Sequence, residues 1–105
     1  MKRKTQHISK MIRNYINAID PKADVILYGS RARGDERPDS DWDILIRTNN
    51  AADIVTERKF RNKLYDLELE TGEALSVFVY SKIDWQTRQR ITPFFHNVSR
   101  EGIRI

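Results

Sequence analysis

The sequence predicts one mixed α/β domain, because segments with helical and with strand periodicity alternate along its 105 residues. Near the start, apolar residues recur at spacings of three and four, as on the buried face of an amphipathic helix. Three shorter segments are β-branched and apolar or alternate between polar and apolar residues, as strands do. A chain of this length is too short for a second domain of ordinary size, so we expect residues 1–105 to fold as a single unit.

The first two elements are a helix from about Thr5 to Ile19, which Pro21 brings to an end, and a short strand. The apolar stripe of the helix consists of Ile8, Met11, Ile12, Tyr15, Ile16 and Ile19. The β-branched and apolar segment from Val25 to Tyr28 is typical of a buried strand, and its C-terminal end leads into Gly29-Ser30.

A second strand is predicted from Asp41 to Ile46, with two distinct faces. Alternation sends the carboxylates of Asp41 and Asp43 to the same face as Leu45. The opposite face carries Trp42, Ile44 and Ile46. We therefore expect one face to serve chemistry and the other to join the core.

The second half of the chain predicts a helix, a strand and a further helix. Asp53 can cap a helix that runs to about Glu70 and stops at Gly72. Its expected buried side consists of Ile54, Phe60, Leu64 and Leu67. A strand from Ala74 to Tyr80 would place Leu75, Val77 and Val79 on one face and Ser76, Phe78 and Tyr80 on the other. The tail predicts a third helix that closes over the core, begins near Pro93 and ends at Gly102.

Composition excludes several classes of protein. The chain contains no cysteine, which rules out a disulfide framework and a thiolate zinc site. Its two histidines, His7 and His96, lie too far apart in sequence to suggest metal ligands, so any metal would be a hard cation held by carboxylates. No apolar run is long enough for a membrane span, and the basic segment 1–10 lacks the apolar stretch of a secretory signal, so we expect a cytoplasmic protein.

The net charge of +4 leaves two interpretations open. It suits an anionic partner such as a nucleotide, a nucleic acid or an acidic protein surface, but it also fits solvated basic faces, because Lys and Arg are spread along the whole chain. Nucleic acid is the least favoured partner, since no basic run is interleaved with aromatic residues.

A candidate phosphate-binding turn follows the first strand. Gly29-Ser30 offers backbone N–H groups and a hydroxyl, and the missing side chain of Gly29 lets a phosphate approach closely. Arg31 and Arg33 flank the turn, and a guanidinium can bind phosphate through two parallel hydrogen bonds. Each of these signals is weak alone, because Gly-Ser at a strand end is usually only a turn.

A candidate metal site lies on the second strand. Asp41 and Asp43 would stand roughly 7 Å apart along one face, at a rise of about 3.3 Å per residue. Mg²⁺ favours a few carboxylates together with substrate oxygens, so this pair could hold Mg²⁺ ions that also bind the phosphates of a nucleoside triphosphate.

Together these motifs have the spacing of a known superfamily. Ten residues separate Gly29-Ser30 from Asp41-Trp42-Asp43, and the string YGSRARGDERPDSDWDILI closely resembles the minimal members of the nucleotidyltransferase superfamily. That superfamily includes DNA polymerase beta and kanamycin nucleotidyltransferase. The tail from Phe94 to Ile105 also resembles the end of bacterial members, which supports a complete domain.

The resemblance implies a fold, a site and a partner. The fold would be of the polymerase beta palm-like α+β type: a small mixed sheet with helices packed on one face and the active site on the other. Asp41 and Asp43 would hold Mg²⁺, and Gly29 and Ser30 would contact the triphosphate. Minimal members usually act as the antitoxin half of a two-protein system beside a helical ribonuclease, and some add AMP to a tyrosine of that partner.

One position departs from the superfamily pattern. Many members carry a third carboxylate on the strand after the second helix, where strand parity places Ser76 in this chain. A hydroxyl carries no charge and is a poor general base at neutral pH. Glu73 could substitute only if the strand began early, since alternation puts it on the opposite face.

Other notable residues favour structural roles. Trp42 and Trp85 are expected to pack rather than stack on a base. Phe78 and Tyr80 share the face of Ser76, where they would line a nucleotide pocket or cover the sheet in a homodimer or partner interface. His96 is expected on a helix surface, and the acidic loop residues are expected to form turns and surface charge: Asp35, Glu36 and Asp39.

Two main functional hypotheses follow. The first is a Mg²⁺-dependent transferase that moves a nucleoside monophosphate, AMP from ATP by preference, to an acceptor hydroxyl on a partner toxin. The second is a weakened transferase that silences its partner by contact alone, which the replacement of an acid by Ser76 would explain.

Overall fold

Helices and strands alternate along the chain in the computed structural model, which describes residues 1–105. The elements are α1 (Arg3–Ile19), β1 (Asp24–Tyr28), α2 (Ser30–Arg33), β2 (Trp42–Thr48), α3 (Ile54–Thr71), β3 (Leu75–Ser81), α4 (Lys82–Gln86), a 3₁₀ turn (Arg88–Ile91), α5 (Pro93–Glu101) and β4 (Ile103–Arg104). None of the helices combines the length and the apolar composition needed to cross a membrane.

The strands form one mixed sheet in the order β3-β2-β1-β4. Strand β2 pairs with β1 in antiparallel and with β3 in parallel orientation. The short strand β4 adds to the free edge of β1 in antiparallel orientation. The predicted small mixed sheet is therefore confirmed, while β4 is an addition that no sequence pattern indicated.

The two long helices pack on one face of the sheet and form the main core there. The stripe of α1 and the apolar side of α3 meet alternate residues of the three longer strands. The buried members are Ile8, Ile12, Ile16, Ala23, Val25, Leu27, Trp42, Ile44, Ile46, Phe60, Leu64, Leu67 and Val77. This packing confirms the core face predicted for β2.

A smaller core lies on the opposite face, where α4 and α5 cover part of the sheet. Its buried members are Ile26, Leu45, Trp85 and Val98. The helices are thus not confined to one face. The predicted third helix is confirmed as α5, with Pro93 at its first position and Gly102 directly after it, while α4 and the 3₁₀ turn before it were not predicted.

The ends of α3 follow the sequence, but one of its predicted core residues does not. Asp53 accepts a hydrogen bond from the N–H of Thr56, and Gly72 ends the helix in the left-handed conformation. Ile54 is 66% exposed, so its assignment to the core was wrong. At 100° per residue, it lies about 120° around the helix from Phe60 and so points away from the sheet.

Candidate functional site

Three neighbouring strands bring polar side chains together on the face opposite the main core. In the register of the sheet, Asp43 of β2 lies beside Tyr28 of β1 and Ser76 of β3. Directly paired residues of neighbouring strands project from the same face. The predicted parity of Ser76 is therefore confirmed, and its hydroxyl lies on the same face as the Asp43 carboxylate.

Gly29 brings its backbone against the Asp43 carboxylate. It has φ 75° and ψ −158°, a conformation that is essentially restricted to glycine, and it immediately precedes α2. A Cβ added at Gly29 would overlap Asp43 Oδ2 and lie 3.0 Å from Asp43 Cγ. The turn at Gly29 and strand β2 therefore approach each other so closely that only glycine fits at position 29.

The electrostatics of Asp43 favour a bound cation. Its pKa is raised above the ordinary value, first because partial burial desolvates the carboxyl and then because the charges of Asp41 and Glu101 repel its ionised form. Arg33 opposes these effects with its positive charge. Asp41 itself lies one residue before β2 and is exposed. A divalent cation near the two aspartates would relieve their repulsion.

Asp41 and Asp43 would suit a cation that takes its other ligands from water or from a bound phosphate. Asp41 and Asp43 offer hard oxygen ligands, which suit Mg²⁺. No three Asp, Glu, His or Cys side chains are arranged to hold a metal ion. Two carboxylates leave most positions of an octahedral shell to water or to the oxygens of a bound phosphate.

A carboxylate from the far end of the chain also reaches the turn. Glu101 Oε1 accepts a hydrogen bond of 3.1 Å from the N–H of Gly29, and Glu101 Oε2 lies 3.0 Å from a guanidinium nitrogen of Arg33. Sequence reasoning missed Glu101, because 72 residues separate it from Gly29 and no local pattern distinguishes it from surface charge.

Arg31 does not face this site, which corrects its assignment as a phosphate ligand. Its side chain is only 4% exposed, and its guanidinium lies 4.4 Å from the ring centroid of Trp42, on the core side of β2. It donates hydrogen bonds of 3.3 and 2.9 Å to the carbonyls of Pro38 and Ser40. Arg31 thus anchors the loop that delivers Asp41.

Glu73 also lies away from the candidate site, as strand alternation predicted. It accepts a hydrogen bond of 3.1 Å from the indole N–H of Trp42 and pairs with Lys4 at 2.6 Å. Its other oxygen-to-nitrogen contact, at 3.8 Å, is with Arg31. Glu73 therefore lies on the core side of β2 and is not a third carboxylate beside Asp43.

Aromatic side chains form a wall beside the polar groups. The Phe94 ring on α5 contacts Tyr28 at 5.4 Å and Phe78 at 5.2 Å between ring centroids. Burial, followed by the negative charge of Asp43, raises the pKa of Tyr28 and keeps its hydroxyl protonated. Phe78 remains 46% exposed and extends the wall to the surface.

The structure also tests the predicted positions of Trp42, Trp85 and His96. Trp42 and Trp85 are both buried, which confirms packing roles for them. His96 is exposed on α5, with its ring against Phe95.

The polar groups lie on an open surface. Of five surface concavities of about 270 to 350 Å³, one is lined in part by Arg33, and neither Asp41 nor Asp43 lines any of the five. Asp41 is exposed and Phe78 is 46% exposed, so the surface beside Asp43 is open to solvent at these two residues.

Comparison with known proteins gives the arrangement a context. The family model described as a nucleotidyltransferase domain matches residues 9–99. One similar solved structure is a toxin–antitoxin with AMP-PNP, with a TM-score of 0.66 and 15% identity over 91% of this chain and 70% of that one. Another is a protein from Sulfolobus solfataricus assigned as a nucleotidyltransferase, with a TM-score of 0.52 and 16% identity over 95% of this chain and 80% of that one. No curated protein matches the sequence significantly.

Proposed function

Because this chain belongs to the nucleotidyltransferase domain family, we propose that it transfers a nucleoside monophosphate, AMP from ATP, to an acceptor hydroxyl. The observation that carries the proposal is the contact between the Gly29 turn and the Asp43 carboxylate. A triphosphate on the turn and a cation on the carboxylate would be neighbours there, as nucleotidyl transfer requires.

In the proposed reaction, the acceptor oxygen forms a bond to the α-phosphorus of ATP. The bond between that phosphorus and the oxygen bridging to the β-phosphate breaks, so pyrophosphate leaves with the electron pair. The acceptor hydroxyl gives its proton to water. Ser76 offers no charge for this proton, and Glu73 is engaged on the other face of the sheet.

Each site residue has a stated part in the proposal. Asp41 and Asp43 would hold Mg²⁺, which supplies positive charge to offset the triphosphate. The N–H groups of Gly29 and Ser30, with the guanidinium of Arg33, would hold the phosphates. Arg31 would act at a distance, by anchoring the loop before Asp41.

We also propose that the acceptor belongs to a helical partner protein, as in a toxin–antitoxin pair. The similar structure described as a toxin–antitoxin with AMP-PNP supports both a nucleotide and a partner of this kind. The open surface around Asp43 and the exposed edge of Phe78 support a site that a second molecule completes. A second copy of this chain remains an alternative cover.

Calorimetric titration with ATP, in the presence and absence of Mg²⁺, tests the site. We expect Mg²⁺-dependent binding that Asp41→Asn and Asp43→Asn each weaken strongly, because each removes one metal-binding carboxylate. Asp39→Asn is the matched control, since it removes the same charge from an exposed position in the preceding loop. Equal binding by the Asp43→Asn and Asp39→Asn proteins would reject the assignment.

A contact-only antitoxin is the second candidate, and Ser76 is the observation that favours it. Without a third carboxylate, the metal site is weaker, and the fold could serve as a scaffold that silences a toxin by binding. An Asp43→Ala variant would then still form the complex and still silence the partner in co-expression. Under the transferase proposal, the same variant would bind its partner but leave it active and unmodified by mass spectrometry.

A further inference from the structure

The carboxylate of Glu101 occupies the groups that would bind phosphate. One of its oxygens accepts the N–H of Gly29 at 3.1 Å, and the other accepts a guanidinium N–H of Arg33 at 3.0 Å. Backbone N–H groups of a turn and a guanidinium are the donors that proteins use for phosphate oxygens. A carboxylate held by both donors therefore resembles a bound anion.

The backbone of Glu101 is fixed by packing on β1. The N–H of the next residue, Gly102, donates a hydrogen bond of 2.7 Å to the carbonyl of Val98. A Cβ at Gly102 would lie 2.5 Å from that carbonyl oxygen and 2.8 Å from Ile26 Cγ2, so α5 approaches the sheet closely at this point. Beyond it, Ile103 pairs with Leu27 in β4. Only the side chain of Glu101 is free to move away from the turn.

We propose that Glu101 is an intramolecular competitor of the triphosphate. Its carboxylate must be displaced before Gly29 and Arg33 can bind the nucleotide. This inference rests on the proposed function for the identity of the natural ligand. Any polyanion that binds the Gly29 N–H and the Arg33 guanidinium would compete with Glu101 in the same way. Its consequence is selectivity, because weakly held anions such as inorganic phosphate would not displace a carboxylate that is already bound by two donors.

The charge around Glu101 explains why the side chain can leave. The carboxylates of Asp43 and Glu101 both lie against Gly29, and two negative charges so close to each other repel. The side chain of Glu101 is 19% exposed, so water can solvate the carboxylate once it is released. A ligand that carries Mg²⁺ to the aspartates and phosphate oxygens to the donors would replace both of its contacts.

Removal of the Glu101 carboxylate tests the inference. We expect Glu101→Ala and Glu101→Gln to bind Mg²⁺-ATP and inorganic tripolyphosphate at least roughly tenfold more tightly than the wild type, as for one charge-assisted hydrogen bond. Arg33→Ala in the Glu101→Ala background should abolish this gain. Calorimetry provides the affinities, and circular dichroism identifies any variant that fails to fold, in which case the near-isosteric Glu101→Gln decides.

Asp35→Asn is the matched control. Asp35 also pairs with Arg33, at 3.2 Å, but it is exposed and makes no contact with Gly29. Its removal changes the net charge equally, so a similar gain in Asp35→Asn would mean that charge alone drives the effect and would overturn the proposal. Unchanged or weaker polyanion binding by both Glu101 variants would also overturn it.

A comparison of ATP with tripolyphosphate distinguishes failure of this inference from failure of the proposed function. If tripolyphosphate binds the Glu101 variants more tightly while ATP binds no protein, the competitor role stands and the transferase proposal fails. If ATP binds the wild type and the Glu101 variants equally, the transferase proposal stands and the competitor role fails.

Discussion

Gly29 and Asp43 show how two residues far apart in the chain define one spot on the surface. The carboxylate of Asp43 lies where the side chain of any other residue at position 29 would be. The positive φ of Gly29 aims the turn toward that carboxylate, so backbone conformation and close approach both require glycine.

We expect Gly29→Ala to abolish Mg²⁺-ATP binding, because the new Cβ displaces the Asp43 carboxylate. The variant should also lose about 1 to 3 kcal/mol of stability from backbone strain. Gly72→Ala is the matched control, since Gly72 has φ 74° but no atom within 4 Å of an added Cβ. Calorimetry and urea denaturation should find both variants destabilised but only Gly29→Ala unable to bind; binding by Gly29→Ala would contradict the assignment.

Glu73 makes the stability of the protein depend on pH in the acidic range. Burial raises the pKa of Glu73, but hydrogen bonds from Lys4 and Trp42 and the charges of Lys4 and Arg31 outweigh that effect, so the net pKa is lowered. A carboxyl with a lower pKa in the folded state stabilises the protein above its unfolded pKa, and this stabilisation is lost as the pH falls through the folded value.

At neutral pH we expect Glu73→Gln to lower the free energy of unfolding by about 1 to 3 kcal/mol, since it removes a charged hydrogen-bond partner. The difference from the wild type should shrink below the ordinary glutamate pKa of about 4.3 and vanish at lower pH. Urea denaturation at a series of pH values provides the comparison. Glu57→Gln, which breaks a surface pair with Arg61, should cost less than about 1 kcal/mol. A pH-independent difference for Glu73→Gln would contradict the prediction.

Local sequence could predict some of the candidate site but not all of it. Strand alternation places Asp43 and Ser76 correctly, because a period of two leaves only two faces to choose from. Arg31 and Arg33 lie two residues apart in the short helix α2, where one turns to the core and the other to the surface. No pattern in the residues 29–43 distinguishes them, and the role of Glu101 depends on packing across the whole chain.

At the scale of elements, periodicity predicts the long helices and the strands and fails where short elements depend on tertiary contacts. The stripe of α1 and the parity of β2 and β3 describe surfaces that repeat over several residues. The short helix α4, whose Trp85 packs against Phe94, and the two-residue strand β4, which pairs with β1, are held by contacts distant in sequence.

Phe94 anchors helix α5 to the sheet, since its ring contacts Tyr28, Phe78 and Trp85. We expect Phe94→Ala to lower the free energy of unfolding by about 2 to 4 kcal/mol, somewhat less than the roughly 3 to 5 kcal/mol for a fully buried ring, because Phe94 is only partly buried. Urea denaturation should show this loss, while Ile91→Ala, at a position 87% exposed, should change stability by less than about 0.5 kcal/mol. Equal effects of the two substitutions would mean that the ring does not anchor α5.

At the scale of the whole molecule, the candidate site joins the early and the late parts of the chain. The Gly29 turn follows β1 and Asp43 belongs to β2, whereas Glu101 and Phe94 belong to α5. The contact of Glu101 with the Gly29 turn and the contact of Phe94 with Tyr28 therefore both depend on the docking of α5 on the sheet. Any molecule that covers the open side of the site would contact α5 and β3.

The sheet also separates the two tryptophans, and this gives the protein two independent fluorescent reporters. Trp42 lies in the core of 13 buried residues under α1 and α3, whereas Trp85 lies in the core of four under α4 and α5. In single-tryptophan variants made with Trp42→Phe and Trp85→Phe, we expect the emission of Trp85 to shift to longer wavelength at a lower urea concentration than that of Trp42, because fewer buried side chains hold its layer. Coincident curves would instead show that both layers unfold together.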